Sequence, residues 1–291
     1  VDNIHCSSDP GSLDGVLIKE IGVAMVDGTS PHIVDAKNAG AVESIINMGD
    51  FWDEKSIRKS KNEIMECNRE ISLCFKEAYN YLEAAGSINK NCCLSLDIYK
   101  TGEIVSNILE DLPACTGGSG KVRKLFADAI TPEGIVSYAN DLCTGKRIVL
   151  RSEIYGGAKD ITKILAAKLT EMGYDIELFY SPLSPSDEIR HIVLPSGNVC
   201  ILTSDMISPV SEKDAMVIDT DEITKCKKFG TDFLKSRLLV ISIIQQAVKS
   251  VSAAKKLHDK LESFYVPNID FSAVEKKREE IISEIMGFAQ K

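Results

Sequence analysis

Apolar and polar positions fall into a few separate patterns along this chain, and the clearest run spans Arg147 to Thr203. Ile148, Val149 and Leu150 form a short continuous apolar run of the kind a buried parallel strand needs. Ile161, Ile164, Leu165 and Leu169 follow at the spacing of one helix face, with Gly156-Gly157 before them and Gly173 after. Asp175 to Tyr180 and Asn198 to Thr203 then read as strands. The predicted order is therefore strand, glycine turn, helix, strand, loop, strand. Between Asp53 and about Ala85 the period is helical, carried by Ile57, Ile64, Cys67, Ile71, Cys74, Phe75, Ala78 and Leu82, and Gly86 is its expected end. A shorter helix is expected from Glu103 to Leu112 and a long one from Asp221 to about Phe264. After a break at Pro267, a last helix runs from Ser272 to Phe288.

The same patterns occur twice. Val1 to Pro31 lies over Ile176 to Ser208 with one extra residue in the second copy, so that Pro10 matches Pro185 and Leu13 matches Ile189. Val16-Leu17-Ile18 then matches Ile192-Val193-Leu194, and Val23 to Val26 matches Val199 to Leu202. The helical stretches join the repeat, since AYNYLEAA at Ala78 matches AVKSVSAA at Ala247. Two related halves are expected. The first would span 1–112 with its helical arm, 113–120 (PACTGGSG) would be the linker, and the second would span 121–291 with its own arm. A strand and a glycine turn are expected ahead of the first copy too, which places them upstream of Val1.

Strand, glycine turn and helix at 147–173 make the frame of a P-loop nucleotide-binding domain, whose loop reads G-x-x-x-x-G-K-[ST]. Glycines let backbone N–H groups wrap phosphates, the lysine reaches the β and γ phosphates, and the hydroxyl holds Mg²⁺. Counting from the strand and helix puts Ala158 at the lysine position and Lys159 at the hydroxyl. Counting from Lys159 as the lysine puts Asp160 at the hydroxyl and Glu153 at the first glycine. Neither register restores the motif, and both carboxylates would repel a polyphosphate. The candidate cofactor-binding residues are Gly156, Gly157 and Lys159 of a degenerate loop. GGSGK at Gly117 to Lys121 is a decoy: no strand enters it and Val122 stands where Ser or Thr is required.

The third strand of each copy bears on metal chemistry. VAMVD at Val23 to Asp27 fits the Walker B pattern, in which the carboxylate ending the strand holds the Mg²⁺ shell, whereas the second copy has Thr203 there. Asp27 before Gly28 also suits a plain turn. HCSSDP at His5 to Pro10 follows a strand at the edge where parallel sheets bind ligands, which makes Asp9, with Asp14, Ser7 and Ser8, a second catalytic candidate or another turn. Cys6 with His5 and His32 lacks regular ligand spacing. His191 and His258 read as surface residues.

With 34 basic and 43 acidic residues, the net charge of -9 argues against nucleic acid or an anionic membrane as the main partner. Nine cysteines without a C-x-x-C pair read as reduced thiols of a cytoplasmic protein, the adjacent Cys92-Cys93 included. The apolar run LLVISII from Leu238 is too short to span a bilayer, so no transmembrane segment is expected. Because the chain opens on Val1, it reads as a fragment.

HCSSDPGSLDG, VAMVDGTSPH, the INMGDFWDE run at Ile46 to Glu54 and LFADAITPEG at Leu125 to Gly134 together resemble the bacterial two-domain P-loop ATPase-like proteins. The resemblance covers nearly the whole chain. It implies tandem P-loop halves, an intact phosphate loop in the first half of the full protein, and ATP with Mg²⁺ as ligand. Of the family's site residues it carries only the Walker B acid, onto Asp27. The expected fold is α/β: two P-loop NTPase-like halves, each a parallel sheet flanked by helices and followed by a helical arm. The leading function is ATP binding and hydrolysis with a degenerate second site. The alternatives are a small-molecule kinase or a non-catalytic scaffold that binds a protein partner or itself through the arms.

Overall fold

The computed structural model describes residues 1–29, 33–92, 97–115, 118–152, 158–223 and 231–290. Its contacts divide into two units, Val1–Lys76 with Ser250–Lys291, and Glu77–Lys249. Both divisions fall inside long helices and not at 113–120. In chain order come β1 (Asp2–His5), β2 (Leu13–Ile18), β3 (Val23–Val26), α1 (Glu54–Ile57), α2 (Lys61–Cys92) and α3 (Ile98–Glu110). After them come β4 (Val122–Leu125), β5 (Asp128–Thr131), β6 (Gly134–Ser137), β7 (Lys146–Arg151), α4 (Lys159–Glu171) and β8 (Ile176–Ser181). The rest is β9 (Ser184–Leu194), β10 (Val199–Ser204), β11 (Ala215–Asp219), α5 (Thr231–Tyr265) and α6 (Phe271–Ala289).

The second unit is α/β around a six-stranded sheet of order β11-β7-β10-β9-β8-β4. Strands β11, β7 and β10 pair in parallel, as do β4 and β8, while β9 runs antiparallel to both its neighbours. The sheet is thus mixed, not parallel as expected, and the loop expected before Val199 contains the eleven-residue strand β9. Its first eight residues, SPSDEIRH, read as loop because they are polar; Pro185 to Asp187 are indeed exposed, but Glu188, Arg190 and His191 are buried, Arg190 against Asp128 and Asp205 as described below.

Side chains of β7, β9 and β10 alternate between two cores, as the period-two geometry of a strand requires. Ile148, Leu150, Ile192, Leu194, Val199 and Ile201 pack with Ile161, Leu165 and Leu169 of α4 and with Val105 and Ile108 of α3. Val149, Val193, Cys200 and Leu202 face the other way, toward Ala127, Ala139 and Val210. Coverage on both faces is why Ile148 to Leu150 is a continuous apolar run.

Three expectations change here. Helix α2 runs through Gly86 to Cys92; the glycine marks a close approach, since a Cβ there would lie 2.7 Å from the Leu183 carbonyl oxygen. Cys143 and Cys200 form a disulfide, so the cysteines are not all thiols, although Cys6, Cys67 and Cys115 are free. Helix α5 is, within Lys235–Asn268, long and apolar enough by length and composition to cross a membrane. Part of it lies inside the protein: Val240 and Ile244 pack with Ala85 and Leu183.

In the first unit β1, β2 and β3 form an antiparallel sheet with no parallel pair, against the expectation of a parallel one. Asp53 caps α1, Asp270 caps α6, and Trp52 bridges to Ile269 with its ring edge-on to Tyr265. None of the buried apolar clusters includes a residue of this unit among the described residues.

The two copies seen in the sequence have the same local architecture. Ile18 pairs with Val23 and Leu17 with Ala24, as Leu194 pairs with Val199 and Val193 with Cys200. Ile4 opposes Gly15 and His5 opposes Leu13, skipping Asp14; Phe179 opposes His191 and Tyr180 opposes Ile189, skipping Arg190. A three-residue 3-10 turn follows β2 and β9 alike, closed by Gly22 in one and Asn198 in the other, both left-handed. Pairing, bulge and turn therefore coincide at these positions.

Candidate functional site

The bulge marks the edge where the candidate residues gather, as bulges often do beside functional sites. In the second unit β7 ends at Arg151 and β10 at Ser204, and the two ends are tied by Ser152 N donating to Ser204 O at 2.9 Å. This is the carboxyl edge of the parallel strands, where α/β sheets bind ligands. Ser152 Oγ donates to Asp221 Oδ1 at 2.8 Å, and half-buried Lys159 opens α4. Gly156, Gly157 and Glu153 lie outside the described residues.

Behind this edge is a buried charge cluster. Arg190, the bulge residue, is 1% exposed; its Nε donates to Asp128 Oδ2 at 3.0 Å and its Nη1 to Asp205 Oδ2 at 2.7 Å. Asp205 Oδ1 accepts from the Ile207 and Ser208 amides, and Asp128 Oδ1 accepts from Ser208 Oγ. His191 accepts the Thr203 amide at Nδ1, while its Nε2 stands 3.5 Å from Asp128 Oδ2, near enough to feel its charge but too long for a good hydrogen bond. Glu188 Oε1 and Thr203 Oγ1 are buried without a hydrogen-bond partner among the described residues.

These environments set the charge states. Burial disfavours the ionised form of Asp128, but His191 and Arg190 outweigh it and hold the carboxyl well below the usual range. Burial pushes Glu188 up, opposed by Arg190 and reinforced by Asp205. Burial likewise pushes His191 down, with Asp128 opposing. At neutral pH the cluster therefore holds a neutral imidazole beside an Arg bridging two carboxylates. His191 is buried, not the surface residue the sequence suggested; His258 is exposed as expected.

The first unit places different chemistry at the same positions. Asp14 replaces Arg190 at the bulge, Gly15 replaces His191, and Asp27 stands where the copy has Thr203. A Cβ on Gly15 would come within 3.0 Å of Met25 O and 3.1 Å of Val26 Cγ1, so this site has no room for the copy's imidazole without rearrangement. Asp27 is exposed; its amide donates to Asp14 O at 2.7 Å and its Oδ1 accepts the Thr29 amide at 2.8 Å, an Asx turn. Asp9 is engaged by Ser12 Oγ at 3.0 Å and by Lys255 Nζ at 3.5 Å. The Cys6 thiol is pushed up by burial and further by Asp14, against the Ser8 and Asp9 amides. Asp9, Asp14 and Asp27 are thus brought to one edge, and His32 lies outside the described residues.

No family model, curated protein or solved structure matches the chain. Sequence reasoning missed Asp128, Glu188, Arg190 and Asp205. The available signal was position: SDEIRH leads directly into the apolar triplet of a strand, so its charges continue that strand inward.

Among the described residues of the second unit, the ends of β10 and β11 are poorly suited to hold Mg²⁺. Thr203 brings a hydroxyl and no charge to the end of β10, and both oxygens of Asp205, two residues on, are spent on Arg190 and backbone amides. Asp219 at the end of β11 is likewise held by Arg151.

Proposed function

We propose that this chain belongs to an ATP-binding, ATP-hydrolysing P-loop protein, and that its second unit is a degenerate partner whose own site has become structural. The observation that carries the reading is topological. Strand β7 is followed in the chain by Gly156-Gly157 and then by α4, and β10, the strand with the acid position at its end, is the parallel neighbour of β7. A helix N-terminus at that edge offers N–H donors and about half a positive charge to an anion. What it lacks is the rest of a tight site: the lysine, the hydroxyl and the acid do not come together.

Asp27 in the first copy is the residue to hold the Mg²⁺ shell, since it alone of the two matched positions is an acid. In a protein that also carries a complete phosphate loop, Asp27→Asn should preserve the fold and lower Mg²⁺-dependent phosphate release. The buried Arg190 cluster supports a second reading for the second unit by itself, that of a non-catalytic scaffold.

Titration of the 291-residue chain with Mg-ATP by calorimetry tests the degenerate site. Each lost charge-assisted contact costs about 1.5–3 kcal/mol, so two or three losses weaken a micromolar site toward millimolar. A dissociation constant near or below micromolar, abolished by Lys159→Ala, would overturn the reading.

A further inference from the structure

The matched register of the two sheets shows what a covered version of the β1–β3 sheet looks like. In the second unit β10 pairs in parallel with β7 from Val199↔Lys146 to Ser204↔Arg151. Ile192, Leu194, Val199 and Ile201 lie sealed beneath Ile161, Leu165 and Leu169 of α4. The corresponding residues in the first unit are Val16, Ile18, Val23 and Met25. Met25 is 50% exposed and the other three are only half-buried. Among the described residues β3 pairs with β2 alone, so its other edge presents unpaired backbone groups.

An apolar face next to an open strand edge is the usual setting for strand addition. We propose that the open edge of β3 and the face carrying Val16, Ile18, Val23 and Met25 dock a strand–helix segment of the β7–α4 type. Its strand adds in parallel to β3, and its helix lies over that face. The segment belongs to the same polypeptide, ahead of β1. In the second unit only residues 172–175 separate α4 from β8, so strand, helix and three-stranded sheet form one continuous stretch of chain. A parallel neighbour also needs a crossover of this kind, which a hairpin cannot supply. The proposal rests on the same repeat as the nucleotide reading, but not on any nucleotide.

The test uses the full 291-residue chain with a second copy of its own residues 146–175 placed directly ahead of Val1, compared with the parent chain by amide hydrogen exchange. Docking predicts that the amides of residues 23–26 exchange about tenfold or more slowly in the extended chain, and that Met25→Lys in the extended chain removes the gain. Equal exchange in the two chains overturns the proposal. So does protection that survives Met25→Lys, because the helix would then not lie on that face. Protection already present in the parent and lost on dilution also overturns it, since a second copy would be the occupant. No nucleotide is present, so a tight ATP site found in the parent chain leaves each outcome unchanged.

Discussion

The sheets β1–β3 and β8–β10 have the same pairing, the same bulge and the same left-handed turn, yet one is half bare and the other sealed. Backbone geometry is therefore set within the three strands, by the triplets Val16-Leu17-Ile18 and Ile192-Val193-Leu194 and the turn that follows each. Burial is set by what is added. Cys200, Ile201 and Leu202 are at most 1% exposed, whereas Met25 and Val26 are about half exposed. A fully buried large apolar side chain is worth about 1.5–3 kcal/mol, so most of the difference in stability between the copies comes from neighbours and not from register. The charges follow the same division: where the edge is sealed it carries Arg190 between two carboxylates, and where it is open it carries Asp14 and Asp27 near solvent.

Removing the bulge residue in each copy should separate the two most sharply. Arg190→Ala leaves Asp128 and Asp205 buried without their shared cation, and losing one partner of a buried ion pair costs about 3–5 kcal/mol. Asp14→Ala, at a half-buried position, should stay within about 1 kcal/mol. Urea unfolding followed by far-ultraviolet circular dichroism measures both. Similar losses for the two variants would mean that the buried cluster is not what distinguishes the sheets.

Acidity should act on the sealed copy in a smaller, graded way. His191 has a lowered pKa in the fold, so below the ordinary histidine value of about 6.5 the unfolded chain takes up a proton that the folded chain refuses. Stability is then lost as pH falls through that value toward the lowered one. Asp128, also lowered, adds a loss beginning near the ordinary carboxylate value of about 3.9. Glu188 is raised and works in the opposite sense: its native proton costs stability once pH exceeds the ordinary value of about 4.3. A single group changes stability by at most about 1.4 kcal/mol per pH unit. Glu188→Gln should therefore gain stability relative to the parent at pH 8 compared with pH 4, and His191→Gln should flatten the decline between pH 7 and 5. A parent chain whose urea midpoint is flat from pH 7 to 5, and equally flat in His191→Gln, would show that the imidazole is not buried neutral.

Much of this fold is legible in the sequence where a pattern serves one physical purpose. The run Ile148 to Leu150, the period of α4, the end of α5 before Pro267 and the doubled apolar triplets are all of that kind. The repeated alanines are another, since Ala78, Ala85, Ala247 and Ala254 are each at most 1% exposed. Failures came where a residue type serves two purposes. Gly86 can end a helix or admit a neighbouring carbonyl, and only the position of Leu183 decides. The polar half of β9 can be loop or buried ionic strand, and Asp128, distant in sequence, decides. At the candidate site, Asp27 could be singled out because it follows an apolar strand, whereas Arg190 was missed because its partners are 62 and 15 residues away.

The smallest expected difference concerns the left-handed residue after each 3-10 turn. Gly22 has φ 65° and no atom within 4 Å of where a Cβ would stand, so Gly22→Asn meets no obstacle and asks only that asparagine adopt a conformation it tolerates better than most residues. Its effect should be a few tenths of a kcal/mol, partly offset by the reduced freedom of the unfolded chain. Asn198, at φ 46°, already occupies the matching position, but its side chain also accepts the Gly145 amide at 3.1 Å and donates to Thr144 Oγ1 at 3.2 Å. Asn198→Gly keeps the backbone and loses both bonds, each worth about 0.5–1.5 kcal/mol, with exposure of that loop favouring the low end. Asn198→Gly should thus cost about 1 kcal/mol and Gly22→Asn much less. Thermal unfolding can separate them, with Trp52, the single tryptophan, reporting on the first unit. Equal costs would indicate that the left-handed conformation, and not the bonds made from it, dominates at both turns.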